Sequence, residues 1–136
     1  MSTSAFRVRP GVGSSPFVFT CEHASADLPD RYARLGLGDD HLADHIAWDI
    51  GAAALAARLA AVFGAPLVES VWSRLLIDCN RDLGDHDLIV GETHGVVVPG
   101  NRAVDAAERA ERIARYHAPY HDAVDKIGRA SCRERV

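Results

Sequence analysis

Apolar and polar positions follow two different periods along this chain. Phe17-Val18-Phe19-Thr20-Cys21 is a short β-prone run that turns polar at Glu22-His23-Ala24-Ser25, which predicts a strand opening into a loop, with Pro29 and Asp30 marking a turn. From Asp39 to Phe63 the period becomes helical: Leu42, Ile46, Ile50, Ala53 and Ala57 recur on one face, and many intervening positions are Ala. Asp39 or Asp40 can cap that helix, and Gly64-Ala65-Pro66 stops it. An Ala-rich helix suits close packing on a sheet.

Leu67 to Val71 is a second predicted strand. Ser73-Arg74-Leu75-Leu76-Ile77-Asp78-Cys79-Asn80-Arg81 runs from polar through apolar to a dense polar cluster, the pattern of a buried central strand over Leu75 to Asp78. Strand, helix and strand in that order fit a βαβ unit, hence a mostly parallel sheet with helices on its faces. Leu88-Ile89-Val90 reads as a short edge strand, and Gly91 to Arg102 as irregular. Val104 to Tyr116 is a charged amphipathic helix, which Pro119 kinks or ends before Tyr120-His121.

Both ends of the chain depart from this pattern. Residues 1–15, rich in Ser, Gly and Arg, read as a flexible lead-in. Residues 16–126 read as the N-terminal part of a domain. Residues 127–136 lack a helical apolar stripe and resemble the translation of a sequencing adapter, so a non-native tail and a truncated gene are expected.

Composition narrows the class. The 136 residues suffice for one domain, and 48% hydrophobic with 25% charged residues is ordinary for a globular protein. A formal net charge of −4, with no Lys/Arg cluster in the body of the chain, argues against nucleic acid as a partner. No signal-peptide core and no apolar run of membrane-spanning length is present, which sets a cytoplasmic location as the default expectation. Cys21, Cys79 and Cys132 are too few and scattered for a disulfide framework.

The residues able to carry chemistry sit at the ends of predicted strands. In a parallel sheet Glu22-His23 and Asp78-Asn80-Arg81 share one edge, where open α/β sheets bind ligands. His23 can be a metal ligand, although a lone His is more often a polar loop residue. His45 and Asp49 are four apart, on one face of the expected helix, where they can pair with each other. Asp49 lies beside Trp48 and Ile50, a place where a carboxylate needs a partner. Arg81 with Asn80 can clamp a carboxylate, because a guanidinium offers two parallel donors and the amide a third; Arg74 can assist or can pair with Asp78. Cys21 and His23 share one side of an extended segment, but nothing completes a nucleophilic triad. His94, His117 and His121 read equally well as exposed polar positions.

Five stretches together resemble the N-formylglutamate amidohydrolase family: Thr20-Cys21-Glu22-His23-Ala24-Ser25, Ile46-Ala47-Trp48-Asp49-Ile50-Gly51, Ser73 to Arg81, Pro99-Gly100-Asn101, and Tyr116-His117-Ala118-Pro119-Tyr120-His121. The resemblance covers roughly Phe17 to Asp125. It implies a three-layer α/β/α fold with a mostly parallel central sheet, related to zinc carboxypeptidases and deacylases. It also implies hydrolysis of N-formyl-L-glutamate, or a related N-acyl amino acid, to formate and glutamate in histidine degradation.

The resemblance further assigns Asp78, Asn80 and Arg81, with Arg74 beside them, to the substrate carboxylate, and His23 to a zinc ion. Related zinc enzymes carry a Glu three residues after that His, where this chain has Ala26; Asp49 is then the expected second ligand and Glu22 the reserve. Family members are about twice as long, and their second half supplies the remaining ligand and general base, so this span alone is expected to be inactive. The alternative is a non-catalytic domain of the same fold that binds a small carboxylate.

Overall fold

The computed structural model describes residues 4–133, and side chains as far as Ser131. Its centre is β3 (Leu67–Ser70), every residue of which is buried. β2 (Phe19–Cys21) runs parallel to β3, with Thr20 opposite Val68, and β1 (Phe6–Arg9) runs antiparallel, with Val8 opposite Val68. The sheet is thus mixed, order β1-β3-β2, and not the mostly parallel sheet expected from the βαβ pattern.

Alternation along β3 decides what covers it. Leu67 packs with Cys21 and Ala60 under α2 (Ala52–Phe63), which connects β2 to β3. Val68, facing the other way, packs with Cys79, Tyr120 and Ala123 under α4 (Ala118–Arg133). Each fully buried aliphatic side chain in these clusters contributes about 1.5–3 kcal/mol.

Other expectations also differ from the structure. The lead-in holds strand β1, fixed because Arg7 and Arg9 both donate through Nε to Glu69 Oε2 at 3.1 Å. Glu69 is fully buried, so these bonds offset part of the desolvation of its carboxylate.

The Asp39–Phe63 helix is two helices, α1 (Asp39–Ala43) and α2, separated by a loop that contains His45 and Asp49. Gly51 takes the left-handed conformation (φ 87°) that turns the chain into α2, and an L side chain there would be strained. The loop is pinned from outside: Asp49 N–H donates to the His23 carbonyl at 3.0 Å, and Ser73 Oγ donates to the Ala47 carbonyl at 2.7 Å. Asp49 and His45 therefore do not share a helix face; His45 pairs with Asp44 instead.

Leu75 to Asp78 is buried but is a succession of turns, not a strand. Its backbone groups find side chains where a ladder would supply backbone. Asn101 Nδ2 donates to the Leu75 carbonyl (2.8 Å) and Arg112 Nη1 to the Leu76 carbonyl (3.0 Å). Arg112, 1% exposed, also donates to Asn101 Oδ1 and Glu108 and lies over the Tyr32 ring. These contacts weld the loop to α3 (Ala106–Arg112).

Leu88-Ile89-Val90 likewise forms turns, and the nearby strand pair is the hairpin β4 (Glu92–Thr93) and β5 (Val96–Val97), inside the stretch expected to be irregular. Gly100, in the turn after β5, lies so close to Leu35 that a Cβ would fall 2.7 Å from its Cα.

After α3 the helix continues through a widened turn at Ile113–His117, where Ala118 N–H donates to the Ile113 carbonyl five residues back. A widened turn absorbs Pro119, whose ring would collide with a preceding carbonyl in regular α geometry. The helix then runs to Arg133, so residues 127–133 of the expected tail are helical and Ile127 joins the cluster under β3; residues 134–136 and the Cys132 side chain lie outside the described part.

Candidate active site

The site forms where β2 ends. His23, 8% exposed, follows the strand directly and is held at both ring nitrogens: Nε2 lies 2.7 Å from Asp78 Oδ1 and Nδ1 lies 3.2 Å from Asp49 Oδ2. Burial lowers the proton affinity of this imidazole, but the Asp78 hydrogen bond and charge, with Asp49, raise its pKa overall. An ionised carboxylate can only accept, so a ring nitrogen bonded to one does so as a donor.

Asp78 is the hub of the cluster. Besides His23, its carboxylate accepts from Asn80 N–H (2.9 Å) and forms an ion pair with Arg74 Nη2 (3.0 Å), and Arg81 Nε stands 4.0 Å away. Burial raises its pKa, yet the bonds from His23 and Asn80 outweigh it and hold the carboxyl below its usual range. The carboxylate is turned inward, and Arg74 is engaged by it while reaching within 3.7 Å of Asp49. Asn80 and Arg81 are the exposed donors of the set.

An open cleft of about 300 Å³ runs along these groups, lined by Glu22, His23, Asp49 and Asn80 and floored by apolar side chains of α2. Glu22 reaches it held by Tyr120, whose hydroxyl donates to Glu22 Oε1 at 2.7 Å. Tyr120 is fully buried, and burial followed by this carboxylate pushes its pKa up. Tyr120 is a site residue that sequence reasoning passed over; the available signal was a Tyr on an inward stripe, whose hydroxyl needs a partner.

The Cys21 thiol is pushed up to about 11 by burial and the carboxylates of Glu22, Glu69 and Asp49, and Cys79 to about 12 by burial, so neither is poised as a nucleophile. His94 lies in the β4–β5 turn against His45, outside this cluster. His117 and His121 do share a helical face, their rings 4.4 Å apart, and touch the loop that carries Asn80 and Arg81.

The donor set fits a divalent metal as far as it goes. Two ligands bound to one zinc at 2.0–2.1 Å in tetrahedral geometry lie about 3.3 Å apart, close to the 3.2 Å between His23 Nδ1 and Asp49 Oδ2. Asp78 on the opposite nitrogen has the placement of a carboxylate behind a metal-binding imidazole. Among the described residues no third ligand joins this pair; the group of three with suitable spacing is Asp85, His86 and Asp87, on an exposed turn.

The mixed α/β scaffold thus carries, at a strand end, a histidine held between two carboxylates beside the exposed Asn80 and Arg81. The chain belongs to the N-formylglutamate amidohydrolase family, whose model matches residues 15–134. It is also similar to the crystal structure of gene product Atu2144 from Agrobacterium tumefaciens, at 38% identity and a TM-score of 0.89, over 92% of this chain and 50% of that one. The chain thus spans about half the length of that relative. Among curated proteins none matches significantly. No helix among the described residues is long and apolar enough to cross a membrane.

Proposed function

We propose that this chain supplies the substrate clamp and the first metal ligands of an amidohydrolase that releases formate from N-formyl-L-glutamate or a related N-acyl amino acid. The observation that carries this reading is His23 held between Asp49 and Asp78, one residue pair away from the exposed donors of Asn80 and Arg81. His23 and Asp49 would hold a zinc ion, which would supply activation of water and polarisation of the amide carbonyl.

The chain's own residues do the rest. Arg81 and Asn80 bind the substrate carboxylate and fix the formamide in the cleft, turning binding into orientation. Asp78 keeps His23 in the tautomer that presents the Nδ1 lone pair, and Arg74 neutralises the charge that Asp78 and Asp49 place side by side. Tyr120 holds Glu22 at the cleft wall. The third ligand and the general base are proposed to come from outside this span, which makes the span alone inactive or nearly so. The three-layer fold with a mostly parallel sheet belongs, in this reading, to the complete protein.

The test is formate release from N-formyl-L-glutamate by the zinc-loaded full-length gene product, with Arg81→Ala beside it. Loss of at least tenfold in kcat/KM supports the clamp; undiminished activity removes it. The pairing of only two metal donors also favours a second reading, a carboxylate-binding domain without catalysis, and binding of N-formyl-L-glutamate without formate release by the full-length product would establish that instead.

A further inference from the structure

We infer that His117 and His121 are positioning residues for the clamp, each gripping a backbone carbonyl beside the side chains that bind the substrate carboxylate. This rests on the proposed role of Asn80 and Arg81 and goes beyond it by naming what holds them.

His117 Nε2 lies 3.0 Å from the Arg81 carbonyl, and His121 Nε2 lies 2.8 Å from the Cys79 carbonyl. A carbonyl only accepts, so each Nε2 carries the hydrogen and donates it. The two carbonyls bracket Asn80. From the inner side the same loop is fixed by Asp78, which accepts from Asn80 N–H through Oδ1 (2.9 Å) and from Arg81 N–H through its own carbonyl (3.1 Å). Both backbone amides and both flanking carbonyls of the clamp are thereby tied, while the side chains of Asn80 and Arg81 stay exposed.

The helix is shaped to deliver these donors. The widened turn at Ile113–His117 and Pro119 precede the point where the two rings come to lie 4.4 Å apart on one face. Tyr120 from the same turn of helix holds Glu22. A group fixed before binding loses less freedom when substrate arrives, so the grip strengthens binding without touching the ligand.

The experiment measures N-formyl-L-glutamate binding to the zinc-loaded protein by calorimetry, with melting temperature and zinc affinity read alongside. His121→Ala, a change at an exposed position, is expected to weaken binding about fivefold as the loop loses its preorganisation, with zinc affinity unchanged and stability lowered by no more than the net worth of one neutral hydrogen bond. His121→Gln and His117→Gln, which replace the Nε2 donor, are expected within about twofold of wild type. Arg81→Ala reports on the clamp itself: wild-type binding by that variant removes the clamp and this inference with it. Loss of binding in Arg81→Ala together with wild-type binding in His121→Ala overturns the inference alone, as does nitrogen NMR showing either ring protonated at Nδ1 instead of Nε2.

Discussion

His23 Nε2 stands 2.7 Å from Asp78 Oδ1, and this bond joins the two parts of the site that lie 55 residues apart in the chain. One end of the bond orients the imidazole proposed to bind the metal, and the other anchors the loop that carries the proposed clamp. Asp78→Asn keeps the shape and removes the charge. Zinc affinity is expected to fall 10- to 100-fold, the usual cost of losing a carboxylate behind a histidine ligand. Stability is expected to fall by about 2 kcal/mol, below the range for fully buried pairs because Arg74 is partly exposed. Calorimetric zinc titration and urea unfolding measure the two effects separately.

Asn101 occupies the same kind of hub in the scaffold. Its amide donates to the carbonyls of Leu75 and Val90 and accepts from Arg112. Asn101→Ala leaves buried acceptors without donors and is expected to cost about 3 kcal/mol, seen as a lower urea midpoint at unchanged slope.

These side-chain bonds also explain what the sequence could not convey. Leu75 to Ile77 reads as a strand because it is apolar and buried, and it is buried. Its hydrogen bonds, however, come from residues 26 and 36 positions away, and no local period encodes them. The Asp39–Phe63 helix fails for a similar reason: its apolar spacing continues across a loop that Ser73 and His23 hold open from other parts of the chain. By contrast, β2, β3, the end of α2 at Gly64, and the strand-end placement of His23 were legible, because short-range patterning decides them. His23 and Asp78 were expected to converge on one edge of a parallel sheet; they do meet, but Asp78 comes from a buried loop and not from a strand end. The orientation of Asp78, inward and away from the cleft, was not legible.

Close packing of Gly100 on Leu35 gives a contrasted pair. Gly100→Ala places a Cβ 2.7 Å from the Leu35 backbone and is expected to cost about 2 kcal/mol through overpacking. Gly84→Ala meets nothing within 4 Å and is expected to stay within about 0.5 kcal/mol of wild type. Thermal melts of the two variants check both.

His117 sets a pH limb. Burial, then repulsion from His121, holds its pKa below 6.5 despite the bond to the Arg81 carbonyl. The unfolded chain therefore takes up a proton at a higher pH than the folded one. Stability from this group is full above pH 6.5 and declines as pH falls from there through the folded pKa, before carboxylates such as Asp78 begin to titrate. His23, whose pKa is raised, gains stability as pH falls towards 6.5 and changes little below it. Urea midpoints between pH 6 and 5 are therefore expected to fall in wild type and to flatten in His117→Gln.

The central claim is that His23 and Asp49 hold one divalent metal beside the clamp. Zinc titration by calorimetry of wild type, His23→Ala and Asp49→Ala, with His86→Ala as a control for the exposed turn, tests it directly. The account predicts one zinc per chain in wild type and in His86→Ala, and at least tenfold weaker binding in both His23→Ala and Asp49→Ala. Undiminished zinc affinity in either of those two variants would contradict it.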